Sequence, residues 1–360
     1  MVTFSCITPC YREGPLLARA IASLLAQWHG DFELILVDDG ADPATRAVAA
    51  GIDDPRLRVI RQANDGLSCA RNRGIAAARG DYICFLDADD TRPPWALSAL
   101  AEVIARDAPD LILSQGHLQE DTGQKLPFYD REALDLLGHH LGPRAAGPDD
   151  ATARMLALLA EPQSANKCIR RDLLQRSGLS FPNGHFFEDL YFHALAIAAS
   201  ERLSLCDHPT FTYHRRVSGS QLTGGRDMMR FDILAVLRLL TERIAPLPLA
   251  ADPGCRTALL LSAAKLVRWC EEMLPHPHRA QFRTAFLAVL ALADPQLRAP
   301  LAPMPALPWI PAVQDWLTPF LTDPRLDPLQ DPPHPQPTAE ETRLAPEPFG
   351  LPRLWQKRRA

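Results

Sequence analysis

The first 115 residues alternate between short apolar runs and segments in which apolar residues recur at helical spacing. Such runs are typical of buried strands, and the helical spacing is typical of amphipathic helices. Strands that alternate with helices imply a mainly parallel sheet with right-handed crossovers. We expect the first strand to end at Pro9, which has no N–H for a strand ladder. The predicted strands cover residues 2–8, 32–37, 57–60, 81–86 and 110–114, and the predicted helices cover 15–25, 43–50, 68–79 and 95–106.

The pattern is less regular after residue 115. Residues 116–150 are expected to be rich in loops, with short helical pieces. The 14 prolines from residue 301 onward predict an extended or disordered tail without long helices. We therefore divide the chain into an α/β domain (1–224), a helical extension (225–300) and a Pro-rich tail (301–360). The later predicted strands cover 166–169, 202–206 and 210–214. The run 186–192 is expected to pass into an apolar helix that ends near residue 199, and further predicted helices cover 227–244, 256–274 and 277–293.

Composition narrows the class of protein. The chain has 360 residues, 47% of them hydrophobic, which is enough for a large core. A net charge of −5 argues against nucleic-acid binding. The eight cysteines form no CxxC pair, which favours reduced, buried thiols. With no signal-peptide pattern and no apolar run of about 20 residues, we expect a cytoplasmic protein. Its basic C-terminal residues leave peripheral contact with the inner face of the membrane open.

Three carboxylates follow the predicted strand 81–86 within four residues. They belong to Asp87, Asp89 and Asp90. Charges this close must be solvated, paired or bound to a cation. In extended backbone Asp87 and Asp89 point the same way, so a hard divalent cation could bridge them. A solvated turn is the alternative, and Asp90 could cap the following helix.

A second acidic group ends another predicted strand. Asp38 and Asp39 follow strand 32–37 and precede Gly40. The carboxyl ends of parallel strands meet at one sheet edge, where ligands bind in open α/β folds, so one site could use both acidic groups. An Asp-Gly turn is the alternative for this pair. Arg71, near a predicted helix start, could contact an anionic ligand or pair with an acid such as Asp38.

Several motifs in order resemble family 2 glycosyltransferases with the GT-A fold. The longest resembles the family pattern Asn-x-Gly-x-Ser-x-Ala-Arg-Asn-x-Gly at every fixed position. One acidic motif alone is weak evidence, but five motifs in family order are specific. Together they span about residues 3–220. The segments that carry the resemblance are residues 8–11, 37–40, 64–74, 85–90 and 188–189.

The resemblance implies a site for a nucleotide diphosphate sugar. Asp89 would bind Mg²⁺ or Mn²⁺ directly, and Asp87 would lie near the ribose or the metal. Asp39, in preference to Asp38, would accept a hydrogen bond from the base or ribose. Pro9 and Tyr11 would form the neighbouring wall of the nucleotide pocket, with packing as the alternative for Tyr11. Arg71 would contact the diphosphate unless it pairs with an acid.

The resemblance also implies residues for the transfer step. Asp189 would be the catalytic base that takes the proton of the acceptor hydroxyl. Glu188 is the second candidate, or would hold the acceptor; a helix N-terminus that favours acids is the alternative for both. His214 would be a third metal ligand or a strand-end surface group. Arg215 or Arg216 would balance the charge of the leaving group.

The sequence departs from the family pattern at two positions. Arg12 stands where Asn is common, and Ala41 stands where Ser is common. Neither departure removes a carboxylate of the predicted site. Arg12 changes the charge near the nucleotide, which leaves the identity of the donor open.

We therefore expect an inverting glycosyltransferase of the hexosyltransferase type. Its partners would be a nucleotide diphosphate sugar and a glycan or lipid-linked acceptor, in envelope or extracellular polysaccharide synthesis. The helical extension could shape the acceptor site, form a homo-oligomer or rest on a membrane. The alternatives are a sugar nucleotidyltransferase-like enzyme and a non-catalytic binding or scaffold protein of the same fold.

Overall fold

The alternating pattern at the start of the chain folds into strands joined by helices. The computed structural model describes residues 3–216 and 228–326. Strands with unbroken apolar runs are buried along their whole length, and α1 turns one apolar stripe to the sheet. The elements in chain order are β1 (Phe4–Cys10), α1 (Pro15–Leu25), β2 (Phe32–Asp39), α2 (Pro43–Ala50), β3 (Leu57–Gln62), α3 (Leu67–Ala77), β4 (Tyr82–Phe85) and α4 (Ala96–Asp107).

The rest of the chain adds further strands and then a run of helices. The α/β part continues with β5 (Leu111–Glu120), β6 (Lys125–Pro127), α5 (Arg131–Leu141), α6 (Ala151–Leu158), β7 (Lys167–Arg170), α7 (Arg171–Ser177), α8 (Glu188–Ala199) and β8 (Leu203–Arg215). The helices that follow are α9 (Asp232–Ile244), α10 (Pro248–Ala251), α11 (Pro253–Met273), α12 (His276–Leu292) and α13 (Ile310–Leu321).

The described strands form one mixed, mostly parallel sheet. Its order is β3-β2-β1-β4-β7-β5-β6, and β8 pairs with β5 on the other side. β1, β2, β3 and β4 are mutually parallel, and β8 is parallel to β5. β7 is antiparallel to both β4 and β5. The predicted α/β class with a mainly parallel sheet flanked by helices is confirmed.

The parallel strands bring the predicted chemistry to one edge of the sheet. β1, β2 and β4 all end at that edge, with Cys10 in register with Asp38 and Ile7 in register with Phe85. The residues that follow these strands therefore leave the sheet on the same side. This is the position that open α/β folds use for ligands.

Several predicted boundaries were wrong. β1 continues through Pro9 to Cys10, because β4 pairs only with Phe4–Ile7 and leaves Pro9 with a ladder on one side. Residues 202–206 and 210–214 belong to one strand, β8, whose register shifts opposite Ser114 and Gly116. Residues 116–150 hold the end of β5, the short β6 and an 11-residue helix, α5.

The last third of the described chain is helical, as predicted. α11 packs on α6, and α9 packs on α8, so these helices lie against the α/β part. Residues up to Leu321 form one compact unit. The expectation of no long helix after residue 301 was wrong for the 12-residue α13. Its Pro311 lies in the first turn, where a missing N–H costs least, whereas Pro319 lies inside the helix and removes one backbone hydrogen bond.

Two predictions fall partly outside the described residues. The boundary at 224/225 lies there, as does most of the Pro-rich tail with its basic end. Within 3–216 and 228–326, no helix combines the length and apolar character that crossing a bilayer requires. All eight cysteines are free thiols and seven of them are buried, as expected.

An aromatic cluster packs between β4 and α8, next to the edge of the sheet described above. The rings of Phe181 and Phe192 stack with centroids 3.9 Å apart, and Phe85 contacts both edge-on. All three side chains are buried. Such packing is worth more than burial alone and holds β4 against α8.

We expect Gly74→Ala to destabilise the fold by about 1–3 kcal/mol, the usual cost of overpacking a core. A Cβ at Gly74 would lie 2.4 Å from Cγ2 of the buried Ile7, so α3 would have to move away from β1. Urea denaturation followed by circular dichroism measures the change. Gly30→Ala is the control, because nothing lies within 4 Å of a Cβ there. Equal stability of the two variants would contradict the expectation.

Candidate active site

A buried arginine lies at the centre of the site. Arg71 in α3 is 1% exposed, and its guanidinium reaches three carboxylates. Nη1 lies 2.6 Å from Glu188 Oε1 and 3.2 Å from Asp189 Oδ1, and Nη2 lies 2.8 Å from Asp87 Oδ1. Burial acts to lower the pKa of Arg71, but the three carboxylates outweigh it and raise the pKa. Arg71 therefore stays a cation and joins segments over 100 residues apart.

Asp39, the last residue of β2, holds the loop that leads to Arg71. Asp39 Oδ1 accepts hydrogen bonds from Gln62 Nε2 at 2.8 Å and from the N–H of Asp65 at 2.9 Å. Asp39 Oδ2 accepts from the N–H of Gly66 at 3.0 Å. Gly66 has φ of 92°, a conformation that glycine adopts without strain, and α3 begins after it. Asp39 therefore fixes the turn from which α3 starts.

Asp38 makes the turn contact that was its alternative, and it pairs with arginines other than Arg71. Its Oδ1 accepts from the N–H of Ala41 at 2.6 Å, which is the predicted turn alternative. Its Oδ2 pairs with Arg46 at 3.0 Å and with Arg61 at 3.5 Å. Within residues 3–216 and 228–326, no hydrogen bond or ion pair joins Asp38 to Arg71. The structure pairs Arg71 with acids, but these are Asp87, Glu188 and Asp189 and not Asp38.

The acidic segment after β4 divides into three environments. Asp87 accepts from Arg71, whereas Asp89 Oδ2 pairs with Arg216 at 2.6 Å. The backbone oxygen of Asp89 also accepts from Arg19 at 2.7 Å. Asp90 is fully buried, and its Oδ1 accepts from the N–H of His214 at 2.9 Å. Burial raises the pKa of Asp90 well above its usual value, which suits a structural carboxylic acid.

The open carboxylates of this segment fit one mode of divalent cation binding. The side chains of Asp87 and Asp89 keep 28% and 20% of their surface exposed. Within the described residues, no three His, Cys, Asp or Glu side chains form a group that could hold a metal. Mg²⁺ often takes one or two carboxylates plus substrate phosphates instead of an all-protein cage. Asp87 and Asp89 fit that arrangement, and the predicted third ligand does not join them in a cluster.

His214, Arg215 and Arg216 at the end of β8 have different surroundings. His214 Nε2 lies 3.0 Å from Thr91 Oγ1. Burial is the main cause that lowers the pKa of His214 to about 4, so the ring is neutral at pH 7. Arg215 pairs with Glu120 and contacts Tyr129, away from the acidic segment. Arg216, paired with Asp89, is the arginine of the two that lies at the site.

The predicted base lies at the start of α8, directly after a strained residue. Phe187 has φ of 67°, which costs a non-glycine residue about 1 kcal/mol or more. The side chains of Glu188 and Asp189 that follow are 6% and 21% exposed. Burial raises the pKa of Glu188 to about 7, against the lowering effect of Arg71. Burial also raises the pKa of Asp189, while Arg71 lowers it. Of these two acids, Asp189 is the one that combines a raised pKa with access to solvent.

Pro9 and Tyr11 lie at the same edge of the sheet. Pro9 is buried within β1, and Tyr11 is half-buried after it. The Arg12 guanidinium lies over the Tyr11 ring, with its Cζ 4.7 Å from the centroid. The N–H of Tyr11 donates to Glu13 Oε2 at 2.7 Å. Glu13, which the sequence reasoning did not single out, has a raised pKa, first from burial and also from the nearby Asp89 and Asp87.

A buried lysine next to the predicted base was also missed. Lys167 is 2% exposed, and its Nζ donates to Gln163 O at 2.6 Å and to Asn166 Oδ1 at 2.8 Å. Burial lowers the pKa of Lys167 to about 7, although Asp189 and Asp130 act to raise it. The sequence carries little signal for it, because Lys167 begins a short strand, Lys-Cys-Ile-Arg, with a charged residue at each end, and burial is unusual for a lysine.

Comparisons with known proteins show what part of the chain is similar to. Residues 5–152 match the family described as "Glycosyl transferase family 2". "Uncharacterized glycosyltransferase EpsJ" of Bacillus subtilis is 31% identical over 220 residues, 58% of this chain and 60% of that protein. The chain therefore spans less than two thirds of the length of this relative.

Two solved structures share the fold. S. aureus TarS 1-349 in complex with UDP-GlcNAc superposes with a TM-score of 0.65 at 19% identity, over 83% of this chain and 84% of that one. The mannosyltransferase PcManGT from Pyrobaculum calidifontis, in complex with GDP-Man and Mn²⁺, has a TM-score of 0.50 at 19% identity, with 82% of each chain covered. At such identities the likeness concerns the fold alone, and it agrees with the predicted GT-A architecture.

We expect Arg71→Gln to destabilise the protein by about 3 kcal/mol or more at pH 8, because three carboxylates lose their buried partner. The loss should be smaller at pH 5. Burial raises the pKa of Glu188 to about 7 although Arg71 lowers it, so without Arg71 this pKa should rise further and the folded variant should gain more from protonation than the folded wild type. Stability from that proton is present at low pH and is lost as pH rises through the folded-state pKa.

Urea denaturation at both pH values measures this difference. Arg238→Gln is the control, because Arg238 pairs only with Glu242 on an exposed helix face. That variant should change stability by less than about 1 kcal/mol at either pH. A loss in Arg71→Gln that is equal at pH 5 and pH 8 would contradict the electrostatic explanation.

Proposed function

We propose that this chain, whose residues 5–152 match glycosyl transferase family 2, is an inverting glycosyltransferase that moves a sugar from a nucleotide diphosphate donor to an acceptor hydroxyl. One observation carries the proposal. Arg71 joins Asp87, at the end of β4, to Glu188 and Asp189, at the start of α8. Asp189, which could take a proton, thus lies close to Asp87, which could bind a cation on the donor diphosphate.

The proposed reaction is a single in-line displacement. The acceptor oxygen attacks the anomeric carbon while the bond from that carbon to the diphosphate oxygen breaks. The electron pair of that bond leaves with the nucleoside diphosphate, and the acceptor proton passes to Asp189. A carboxylate with a raised pKa is the better proton acceptor, and the pKa of Asp189 is raised by burial. Glu188, nearly buried, would hold Arg71 and the helix start in place.

Asp89 and Asp87 would hold Mg²⁺ or Mn²⁺ on the donor diphosphate. When bound, the cation would supply positive charge against the negative charge that develops on the leaving group. Arg216, which lies 2.6 Å from Asp89, would reach the same region and add to that charge. TarS binds UDP-GlcNAc and PcManGT binds GDP-Man with Mn²⁺, which supports a donor of this class.

The remaining parts of the donor site follow from the edge of the sheet. Tyr11 with Pro9 would form one wall of the nucleotide pocket, and Asp39 would face the base or ribose beyond the turn that it holds. Arg215, paired with Glu120, would not contact the donor without leaving that pair. The acceptor would be a glycan or a lipid-linked sugar in envelope or extracellular polysaccharide synthesis. The enzyme would be cytoplasmic and would contact the membrane peripherally.

We expect Asp189→Asn to lower kcat by roughly 100- to 10,000-fold, the usual contribution of a general base. The donor KM should change little, because the amide keeps the size of the side chain. Wild-type activity should also fall on acidification at a higher pH than an ordinary aspartate pKa of about 4 would give, since burial raises the pKa of Asp189 and the base acts deprotonated. Release of nucleoside diphosphate from the true donor measures both effects.

Asp172→Asn is the control for this experiment. Asp172 is an exposed carboxylate paired with Arg176 on α7, so its loss should leave kcat unchanged. Glu188→Gln should lose less activity than Asp189→Asn. Normal transfer by a folded Asp189→Asn protein would remove Asp189 as the base. Release of pyrophosphate in place of a nucleoside diphosphate would instead identify a nucleotidyltransferase.

We expect Asp89→Asn to abolish the stabilisation that Mn²⁺ adds in the presence of UDP or GDP. A ligand at 100 times its Kd stabilises a protein by about 2.7 kcal/mol, which a thermal shift detects. Arg216→Gln breaks the same ion pair but leaves the Asp89 carboxylate, so it should keep the Mn²⁺-dependent part of the shift. An unchanged Mn²⁺ effect in Asp89→Asn would exclude this residue as a ligand.

A further inference from the structure

The segment that leads to the proposed base is held at both ends. Residues 181–187 run into α8 and finish at Phe187 in its left-handed conformation. Asn72 of α3 fixes the start: its Oδ1 accepts from the N–H of Phe181 at 2.9 Å, and its Nδ2 donates to Phe181 O and Asn183 Oδ1 at 2.8 Å. Because Asn72 directly follows Arg71, this end of the segment is tied to the centre of the site.

The other end is held from the helical region. Asp232, the first residue of α9, accepts from the N–H of Phe186 at 2.5 Å through Oδ2. Its Oδ1 lies 2.9 Å from Nδ1 of His185. The Asp232 side chain is 15% exposed, so little water competes for these contacts. The hydrogen bond to Asp232 also raises the pKa of His185, which favours a charged pair.

Aromatic contacts from the same region surround the strained residue. The guanidinium of Arg230 is buried, with its Cζ 4.2 Å from the ring centroid of Trp269 and 5.7 Å from that of Phe187. The Phe187 and Trp269 rings meet edge to face, with centroids 6.3 Å apart. Arg230 lies two residues before Asp232, and Trp269 belongs to α11. The helical region thus contacts both the backbone of residues 185–187 and the side chain of Phe187, just before Glu188.

We propose that Asp232 is a positioning residue for Asp189, fixing through residues 185–187 the direction in which α8 presents the base. The inference rests on the proposed function, because it needs Asp189 to be the base. A left-handed non-glycine residue persists only where its surroundings hold it. Asp232 supplies that hold on the chain immediately before Phe187. The helical region would therefore take part in the activity without contacting the substrates.

Kinetics of Asp232 variants test the proposal. Asp232→Ala should lower kcat by up to about 100-fold, the loss that a misplacement near 1 Å can cause in a reacting group. The donor KM should stay close to wild type, because Asp38, Asp39, Asp87 and Asp89 are untouched. Asp232→Asn keeps one oxygen that can accept from the N–H of Phe186, so it should recover part of the lost kcat.

Asp252→Ala is the matched control. Asp252 is an acid at the start of another helix of the same region, α11, where its Oδ1 accepts from the N–H of Cys255 at 2.8 Å. Its removal takes away a helix cap but no contact with residues 185–187. Its kcat and KM should equal those of the wild type. Equal kcat in folded Asp232→Ala and Asp252→Ala proteins would overturn the proposal.

Amide hydrogen exchange separates this proposal from the proposed function. Exchange across residues 185–190 should rise at least about tenfold in Asp232→Ala and stay at the wild-type rate in Asp252→Ala, because a lost hydrogen bond opens the local structure. Unchanged exchange in Asp232→Ala would overturn the positioning role, whatever the activity. Faster exchange together with a wild type that transfers no sugar would leave the structural hold intact and reject the proposed function.

Discussion

Three carboxylates share one buried guanidinium, and the arrangement of the candidate site depends on that ion-pair network. Arg71 sits above the Phe181 ring, with its Cζ 5.1 Å from the centroid, and reaches Asp87, Glu188 and Asp189. In such surroundings the acids repel one another strongly unless a cation lies between them. Arg71 therefore permits the end of β4 and the start of α8 to approach. The short loop at Gly66, held by Asp39, in turn fixes where Arg71 can lie.

Two neighbouring acids acquire different properties from this network. Glu188 points inward and is nearly buried, whereas Asp189 keeps a fifth of its surface exposed. The left-handed backbone at Phe187 sets the direction in which α8 begins, and so decides which acid points inward. Their adjacent positions in the sequence do not distinguish Glu188 from Asp189. Their separation into a nearly buried acid and a partly exposed one is a property of the fold.

The sequence predicted the class of fold and the edge of the sheet that holds the site. Apolar runs and helical spacing are local signals, and the motifs lie directly after the strands they end. The partners of Arg71 were not predictable in the same way, because Glu188 is 117 residues away and only folding brings it close. Asp38 was the acid weighed for Arg71, but Arg46 and Arg61 already neutralise it.

Other misses have similar physical origins. Alternation of apolar residues gives the faces of a strand and not its direction, so nothing in residues 166–169 indicated that β7 runs antiparallel. Lys167 begins a strand that ends in another charged residue, so its burial and its closeness to Asp189 depend on tertiary packing. The extension of β1 beyond Pro9 depends on where β4 ends, which is again a long-range fact.

The position of β7 also bears on how the chain reaches this structure. β4 and β5 are consecutive strands, yet they are separated in the sheet by β7, which is synthesised about 80 residues after β4. Until β7 arrives, β4 has a partner on one side only and presents an apolar, unpaired edge. Closure of the sheet needs contacts between distant parts of the chain, and such contacts form slowly. A nascent or heat-disturbed molecule is thus most exposed to wrong pairing along β4, the strand that carries the acidic segment of the site.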